Sequence, residues 1–236
     1  MKVLAFDTSG SATALAILSD GILVAETTLN TSVNHSVTLM PTIDFLMKQV
    51  GFAPADLDRI VVAQGPGSYT GLRIAVTAAK TLAYTLGIDL VGISSLQALA
   101  ERIEGPEIVI PLMNARRGMV YAAAYQNSKN LIPDQYTALL DFLDKLTEFP
   151  NLTFTADAKI FQSEILERFP EAVIVSEATK NLPSAFRMAK LSEKLRPVEN
   201  IHDFNPIYLK KVEAEEKWEA ASGLVADDKD LVSLSG

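Results

Sequence analysis

Arg59-Ile60-Val61-Val62-Ala63-Gln64 runs straight into Gly65-Pro66-Gly67-Ser68-Tyr69-Thr70-Gly71, and that loop into Leu72-Arg73-Ile74 and a helical pattern lasting to Leu86. The first six residues centre on an uninterrupted apolar run, as expected of a strand buried on both faces. Glycines and a proline then break the strand, and Gly87 stops the helix. Strand, glycine loop and helix in this order mark an α/β chain. Glycines at a helix N-terminus allow backbone N–H groups to approach an anion. The loop is not a P-loop, because no Lys-Ser or Lys-Thr pair follows, and the third glycine falls one place late for a dinucleotide fingerprint. Spacing leaves two readings open: an anion-binding loop, or a tight connection that caps the helix and lets two elements pack closely.

Upstream, Lys2–Phe6 reads as a short strand ending at Asp7, with Thr8-Ser9-Gly10-Ser11 as turn chemistry. Thr13–Leu18 and Ile22–Leu29 are the next two strands, joined by the hairpin signal Asp20-Gly21. Ser36 is expected to cap a helix to Val50, closed by Gly51, and Pro54-Ala55-Asp56 to begin a helical turn. After the loop-bearing unit come a strand over Leu90–Ile93 and a helix starting at Ser95–Arg102.

The connector Glu104-Gly105-Pro106-Glu107 divides the chain into a first lobe, residues 1–105, and a second, residues 106–218. Part of the C-terminal segment is expected to pack back on the first lobe, and residues 219–236 read as a flexible tail. In the second lobe Ile108–Met113 and Met119–Tyr125 are strands around the turn Asn114–Gly118. The pattern then predicts a helix near Thr137–Thr147, a strand near Leu152–Thr155, a helix near Ile160–Phe169, a strand at Ala172–Val175 and a helix over Ser184–Leu195. Two lobes that each open strand–turn–strand suit a duplicated α/β architecture with mixed sheets.

Of the 236 residues 48% are apolar and 21% charged, a globular balance, and no segment reaches spanning length, so a cytoplasmic protein is expected. The absence of cysteine removes disulfides, thiolate metal sites and cysteine nucleophiles. A net charge of −8 without a Lys/Arg run argues against a chain that grips nucleic acid by itself. There are two histidines, His35 and His202, and Leu39 stands four places after His35, so no second imidazole shares its helix face. No metal site, catalytic triad or cofactor is assigned.

Asp7-Thr8-Ser9-Gly10 could hold a phosphate-bound Mg²⁺ through water, but a carboxylate serving its own turn is the better reading from these residues alone. On a wheel of about 100° per residue the helix Thr70–Leu86 carries an apolar arc of roughly 200°, including Ile74, Ala75, Ala78, Ala79, Leu82 and Ala83. One sheet covers about half of such an arc, so either the rest of the chain's own fold buries the remainder or the small alanines let a partner's helix come close. In the helix to Val50, Phe45 points away from the face of Leu39, Ile43 and Leu46, while Met40 and Met47 lie at its edge and suit an adaptable contact. Arg116 and Arg117 sit in the Asn114–Gly118 turn, where they could face an acidic partner or a phosphate, though solvated turn arginines are the plainer reading.

Taken together, Leu4–Ser9, His35-Ser36 with Leu39-Met40-Pro41, Gly65–Ile74, Ser94–Ala100, Ala115–Tyr121 and Pro206–Leu209 resemble the TsaB family, also called YeaZ. The resemblance implies a two-lobed actin/Hsp70-like (ASKHA) fold, related to the larger TsaD. TsaD carries a metal site through an HxxxH motif and transfers threonylcarbamoyl to adenosine 37 of tRNAs that read ANN codons. His35 followed by Leu39 looks like the paralogue without that metal site. The implied role is a non-catalytic subunit that dimerises with TsaD in a complex including TsaE, meets tRNA only through that complex, and is compatible with a homodimer when alone. The family's dimer interface is formed by the two first-lobe helices, which marks Met40, Phe45, Met47, Arg73, Ala75, Ala79 and Ala83 as interface candidates. Asp7, Thr8, Ser9, Gly65, Gly67 and Ser68 are then candidates for a degenerate nucleotide or anion site. Asn114 stands where the family usually has Asp, which removes a charge from that turn. The competing reading is an independent nucleotide-binding ATPase of the actin/Hsp70 class.

Overall fold

A computed structural model of the chain describes residues 1–31, 34–105 and 107–210. The expected tail at 219–236 lies outside the described residues.

Lys2–Asp7 (β1), Thr13–Ser19 (β2), Ile22–Leu29 (β3), Arg59–Gly65 (β4) and Asp89–Ser94 (β5) form one sheet in the order β3-β2-β1-β4-β5. β1, β2 and β3 are an antiparallel meander, and β4 and β5 add in parallel beside β1. Strand alternation sends Leu4 and Phe6 to one face of this sheet and Val3 and Ala5 to the other.

Two helices cover the Leu4/Phe6 face, His35–Gln49 (α1) and Tyr69–Leu86 (α2). The cap of α1 is Asn34, whose side chain accepts the Ser36 N–H at 3.1 Å, and not Ser36 as the sequence suggests. Both types cap well, but here the first turn begins one residue before Ser36. The start and stop of α2 follow the sequence closely, with Ser68 as N-cap and Gly87 in the left-handed conformation after Leu86.

Ser95–Ala100 (α3) lies between the two sheets: Ala98 packs with Val61 and Ile93, while Leu96 and Ala100 pack with Val109 and Tyr125. The second sheet repeats the plan of the first. Ile108–Asn114 (β6), Met119–Gln126 (β7) and Lys129–Ala138 (β8) are an antiparallel meander, with Leu152–Ala156 (β9) and Val173–Ile174 (β10) parallel beside β6.

β8 corrects the sequence reading, in which Thr137 opened a helix. The helix there is only Leu139–Asp144 (α4), and Thr137 pairs with Val120 of β7. β8 is a half-buried edge strand carrying Pro133, a composition that hides a strand from pattern reading and is tolerated only at an edge. The helix expected near Ile160–Phe169 is a 3₁₀ turn at Asp157–Phe161 followed by Gln162–Arg168 (α5).

The last helix, Ala185–Ser192 (α6), lies on the Val3/Ala5 face of the first sheet, where Ala185, Met188, Ala189 and Leu191 join its core. Beyond it the chain stays on that sheet: Val198 N–H donates to Leu90 O at 2.8 Å and Ile207 N–H to Gln64 O at 2.8 Å. Val198, Ile201 and Phe204 pack into the same core as α2.

That return explains the wide apolar arc of α2. The sheet, α1 and the 198–204 segment together enclose Ala75, Ala79 and Ala83, each 0% exposed. Met47 is likewise in the core at 5% exposure. These four residues were expected at a partner interface, and the structure corrects that: their closeness serves the chain's own sheet.

Candidate functional site

The turn after β1 and the glycine loop after β4 are locked together. Ser9 N–H donates to Asp7 Oδ1 at 2.6 Å, Ser68 N–H to Ser9 O at 2.7 Å, and the Thr8 hydroxyl to Gly71 O at 2.7 Å. Gly71 N–H donates to the capping Ser68 Oγ at 3.3 Å. A Cβ at Gly67 would stand 2.4 Å from Ser9 O, and one at Gly71 2.0 Å from Thr8 O. Neither distance is tolerable, so glycine is required for close approach. Gly65 ends β4 against Ile207. The structure thus realises the packing role of this loop, and the N–H groups of Ser9, Ser68 and Gly71 are spent inside the protein.

His35 completes the turn from the other side. Its Nε2 lies 3.0 Å from Gly10 O and its Nδ1 2.7 Å from Thr13 Oγ1. A carbonyl only accepts, so Nε2 carries the hydrogen, and in the neutral ring Nδ1 accepts from the threonine hydroxyl. Both nitrogens are occupied, which makes His35 a staple between α1 and the β1–β2 turn.

Asp7 lies on the floor of a cleft of about 550 Å³ between the two sheets. It is 1% exposed, and its Oδ2 has no hydrogen-bond partner. Burial pushes its carboxyl above the ordinary range, against the lowering effect of the Ser9 N–H. Facing walls come from the second half of the chain: Tyr121, Ala156, Asp157, Asn181 and the β6–β7 turn with Asn114 and Arg116. In that turn Arg116 and Arg117 are both left-handed, with φ of 67° and 55°, and Asn114 Oδ1 accepts the Arg116 N–H at 2.8 Å. Arg116 lines the cleft and both arginines are exposed.

Sequence reasoning missed Asn181. Its Oδ1 accepts from Thr155 Oγ1 at 3.0 Å and from Ala156 N–H at 2.9 Å, and its Nδ2 donates to Val175 O at 2.9 Å. These bonds hold Ala156 at φ 63°, ψ −118°, a region that favours glycine. It also missed the junction of Ser94, Tyr125 and Asp134. The Tyr125 hydroxyl donates to Asp134 Oδ1 at 2.5 Å and the Ser94 hydroxyl to Asp134 Oδ2, tying β5 to β7 and β8. Burial, then the Asp134 charge, holds the Tyr125 phenol far above its ordinary range.

A second feature lies on the outer face of α1 and α2. An apolar groove of about 540 Å³ runs between them, lined by Met40, Ile74, Ala78 and Leu82 with Thr77 and Thr81. Met40 is 46% and Phe45 57% exposed, and Val37 and Pro41 stand exposed on the same helix. Arg73 lies at the groove but is engaged: its Nε donates to Tyr208 Oη at 3.1 Å and its guanidinium stacks 4.1 Å over Tyr69. The i, i+4 stripe Ile74–Ala78–Leu82 was the sequence signal for this face, and the alanines one place along drew attention from it.

Among the described residues no helix is long and apolar enough to cross a membrane. Residues 24–218 match the family model described as "TsaD: tRNA N6-adenosine threonylcarbamoyltransferase". The tRNA threonylcarbamoyladenosine biosynthesis protein TsaB of Bacillus subtilis (strain 168) is 37% identical over 227 residues, covering 92% of this chain and 98% of that protein. The TsaB protein of Escherichia coli (strain K12) is 32% identical over 133 residues, 55% of this chain and 57% of that one. The solved structure of YeaZ from Pseudomonas aeruginosa superimposes with a TM-score of 0.72 over 88% of this chain and all of that one, at 23% identity.

Proposed function

The chain belongs to the TsaB family, within the wider family that the TsaD model describes, and from that premise we propose that it is the non-catalytic, partner-binding subunit of a cytoplasmic complex with TsaD and TsaE. TsaD in that complex transfers threonylcarbamoyl to tRNA, and this chain holds TsaD on the outer face of α1 and α2.

The observation that carries the proposal is the α1–α2 groove. Met40, Ile74, Ala78 and Leu82, exposed or half-buried, line it across two adjacent helices, and Val37 and Phe45 stand exposed elsewhere on α1. Contiguous apolar surface of this kind marks a protein contact. Two helices from each partner, packed across a pseudo-two-fold axis, give enough contact for a specific interface of about 1,600 Å² in total. Methionine at the groove adapts to a partner's shape at little cost.

Thr77 and Thr81 are exposed on the groove wall, so arginine at either position leaves the free protein folded. In the complex that arginine is buried without a counter-charge, at a cost of about 3–5 kcal/mol. The test is co-elution of each variant with TsaD by size exclusion. Loss of the complex at unchanged melting temperature supports the proposal; retention by both folded variants removes it.

A further inference from the structure

The floor of the cleft between the sheets presents a buried acceptor beside three N–H donors that are already spent. A phosphate held at the start of α2 would draw on the N–H groups of Ser9, Ser68 and Gly71. All three are already donated, to Asp7 Oδ1, Ser9 O and Ser68 Oγ. Beside them stands Asp7 Oδ2, buried and without a hydrogen-bond partner, in a residue that lines the cleft. A buried carboxylate oxygen without a donor is costly, and native proteins fill such vacancies with water, an ion or a ligand group.

We infer that the cleft binds a small organic ligand through a primary ammonium group set against Asp7. At 1% exposure the carboxylate is reached only by a compact group, which favours an alkyl ammonium over a hydrated metal ion. No group of three His, Cys, Asp or Glu side chains among the described residues could hold a metal. An ammonium carries three donors, and the hydroxyls of Ser9 and Ser11 stand on the same cleft as further acceptors. Leu99, Met113, Leu182 and Pro183 give the cleft apolar wall for a carbon chain. Among the described residues, Asp157 adds a second carboxylate to the cleft lining, against the one guanidinium of Arg116. The inference does not depend on the α1–α2 face.

The test uses n-butylamine as the probe and n-butanol as its neutral counterpart, with inorganic phosphate and Mg²⁺ as separate additions at fixed pH. Binding to the folded state alone raises the melting temperature by roughly 3–6 °C at ten times Kd for a chain of this size. The wild-type protein is expected to respond to butylamine alone, and Asp7→Asn to lose the response. Ser11 is exposed at the cleft, so Ser11→Trp blocks the ligand without touching the carboxylate and is expected to lose it too. That second variant decides the matter should Asp7→Asn fail to fold. No response of the wild type to butylamine at about a hundred millimolar, an equal response to butanol, an unchanged response in both variants, or stabilisation by phosphate or Mg²⁺ instead would each overturn the inference.

Discussion

Replacing Gly71 with alanine sets two opposed effects against each other. Gly71 lies in the first turn of α2 with no positive φ, so helix propensity alone favours alanine by about 1 kcal/mol. Against this, the new Cβ would stand 2.0 Å from the backbone carbonyl of Thr8, an atom that cannot swing aside. Overpacking of this kind costs about 1–3 kcal/mol. Any shift that relieves it also stretches the Thr8 hydroxyl bond to Gly71 O and the Ser68 cap, together worth about 1–3 kcal/mol more. The clash wins, and the net loss is about 2–4 kcal/mol, or a fall of roughly 5–12 °C in melting temperature. Thermal denaturation followed by circular dichroism reads this directly. Gly10→Ala is the internal control. It lies in the same turn, its Cβ would meet nothing within 4 Å, and it should be neutral or gain up to about 1 kcal/mol. If Gly71→Ala melts with the wild type, the close approach of the turn and the glycine loop contributes nothing to stability.

Three other perturbations follow from the site. Ala156→Gly should raise stability by about 1 kcal/mol, because glycine accepts the φ of 63° that Asn181 imposes; a loss in urea titration would show that the backbone there is unstrained. Asp7 has a folded-state pKa raised by burial, so the folded protein binds its proton more tightly than the unfolded chain does. Its contribution therefore favours the fold at low pH and declines as pH rises from the ordinary carboxylate range through the raised folded-state value. Asp7→Asn keeps the acceptor for Ser9 and removes that decline, so it should be at least as stable as the wild type at neutral pH, with a flatter pH profile in urea titrations; an equal slope would contradict the assignment. His35→Ala leaves Gly10 O and Thr13 Oγ1 without their partner and should cost about 1–3 kcal/mol while preserving association with TsaD; loss of the complex without loss of stability would give His35 a role beyond the staple.

The first sheet and its two outer helices could be read from the chain because each boundary carries a local cause. Asp20-Gly21 turns the hairpin, Gly87 ends α2, and the Arg59–Gly65 run sits in mid-sheet, as its unbroken apolar character implies. β8 could not be read in this way, since an edge strand with Pro133 and Asp134 carries little of the alternation that marks a strand. The alanines of α2 were misassigned for a different reason. Small size states that something comes close, not what it is, and the neighbour proved to be the chain's own sheet. Asp7 and the glycine loop were visible as motifs, but the far wall of the cleft was not. Ala156, Asp157 and Asn181 lie more than a hundred residues from Asp7 in sequence, and only the second sheet's topology brings them opposite it.

The central claim is that the α1–α2 face holds TsaD, and binding of Thr81→Arg to purified TsaD, measured by calorimetric titration beside the wild type, tests it most directly. Thr81 lines the groove and is exposed, so the variant should melt within about 2 °C of the wild type. Burial of its unpaired charge in the interface should weaken the complex by about a hundredfold or more. A folded Thr81→Arg that binds TsaD as tightly as the wild type would contradict the account.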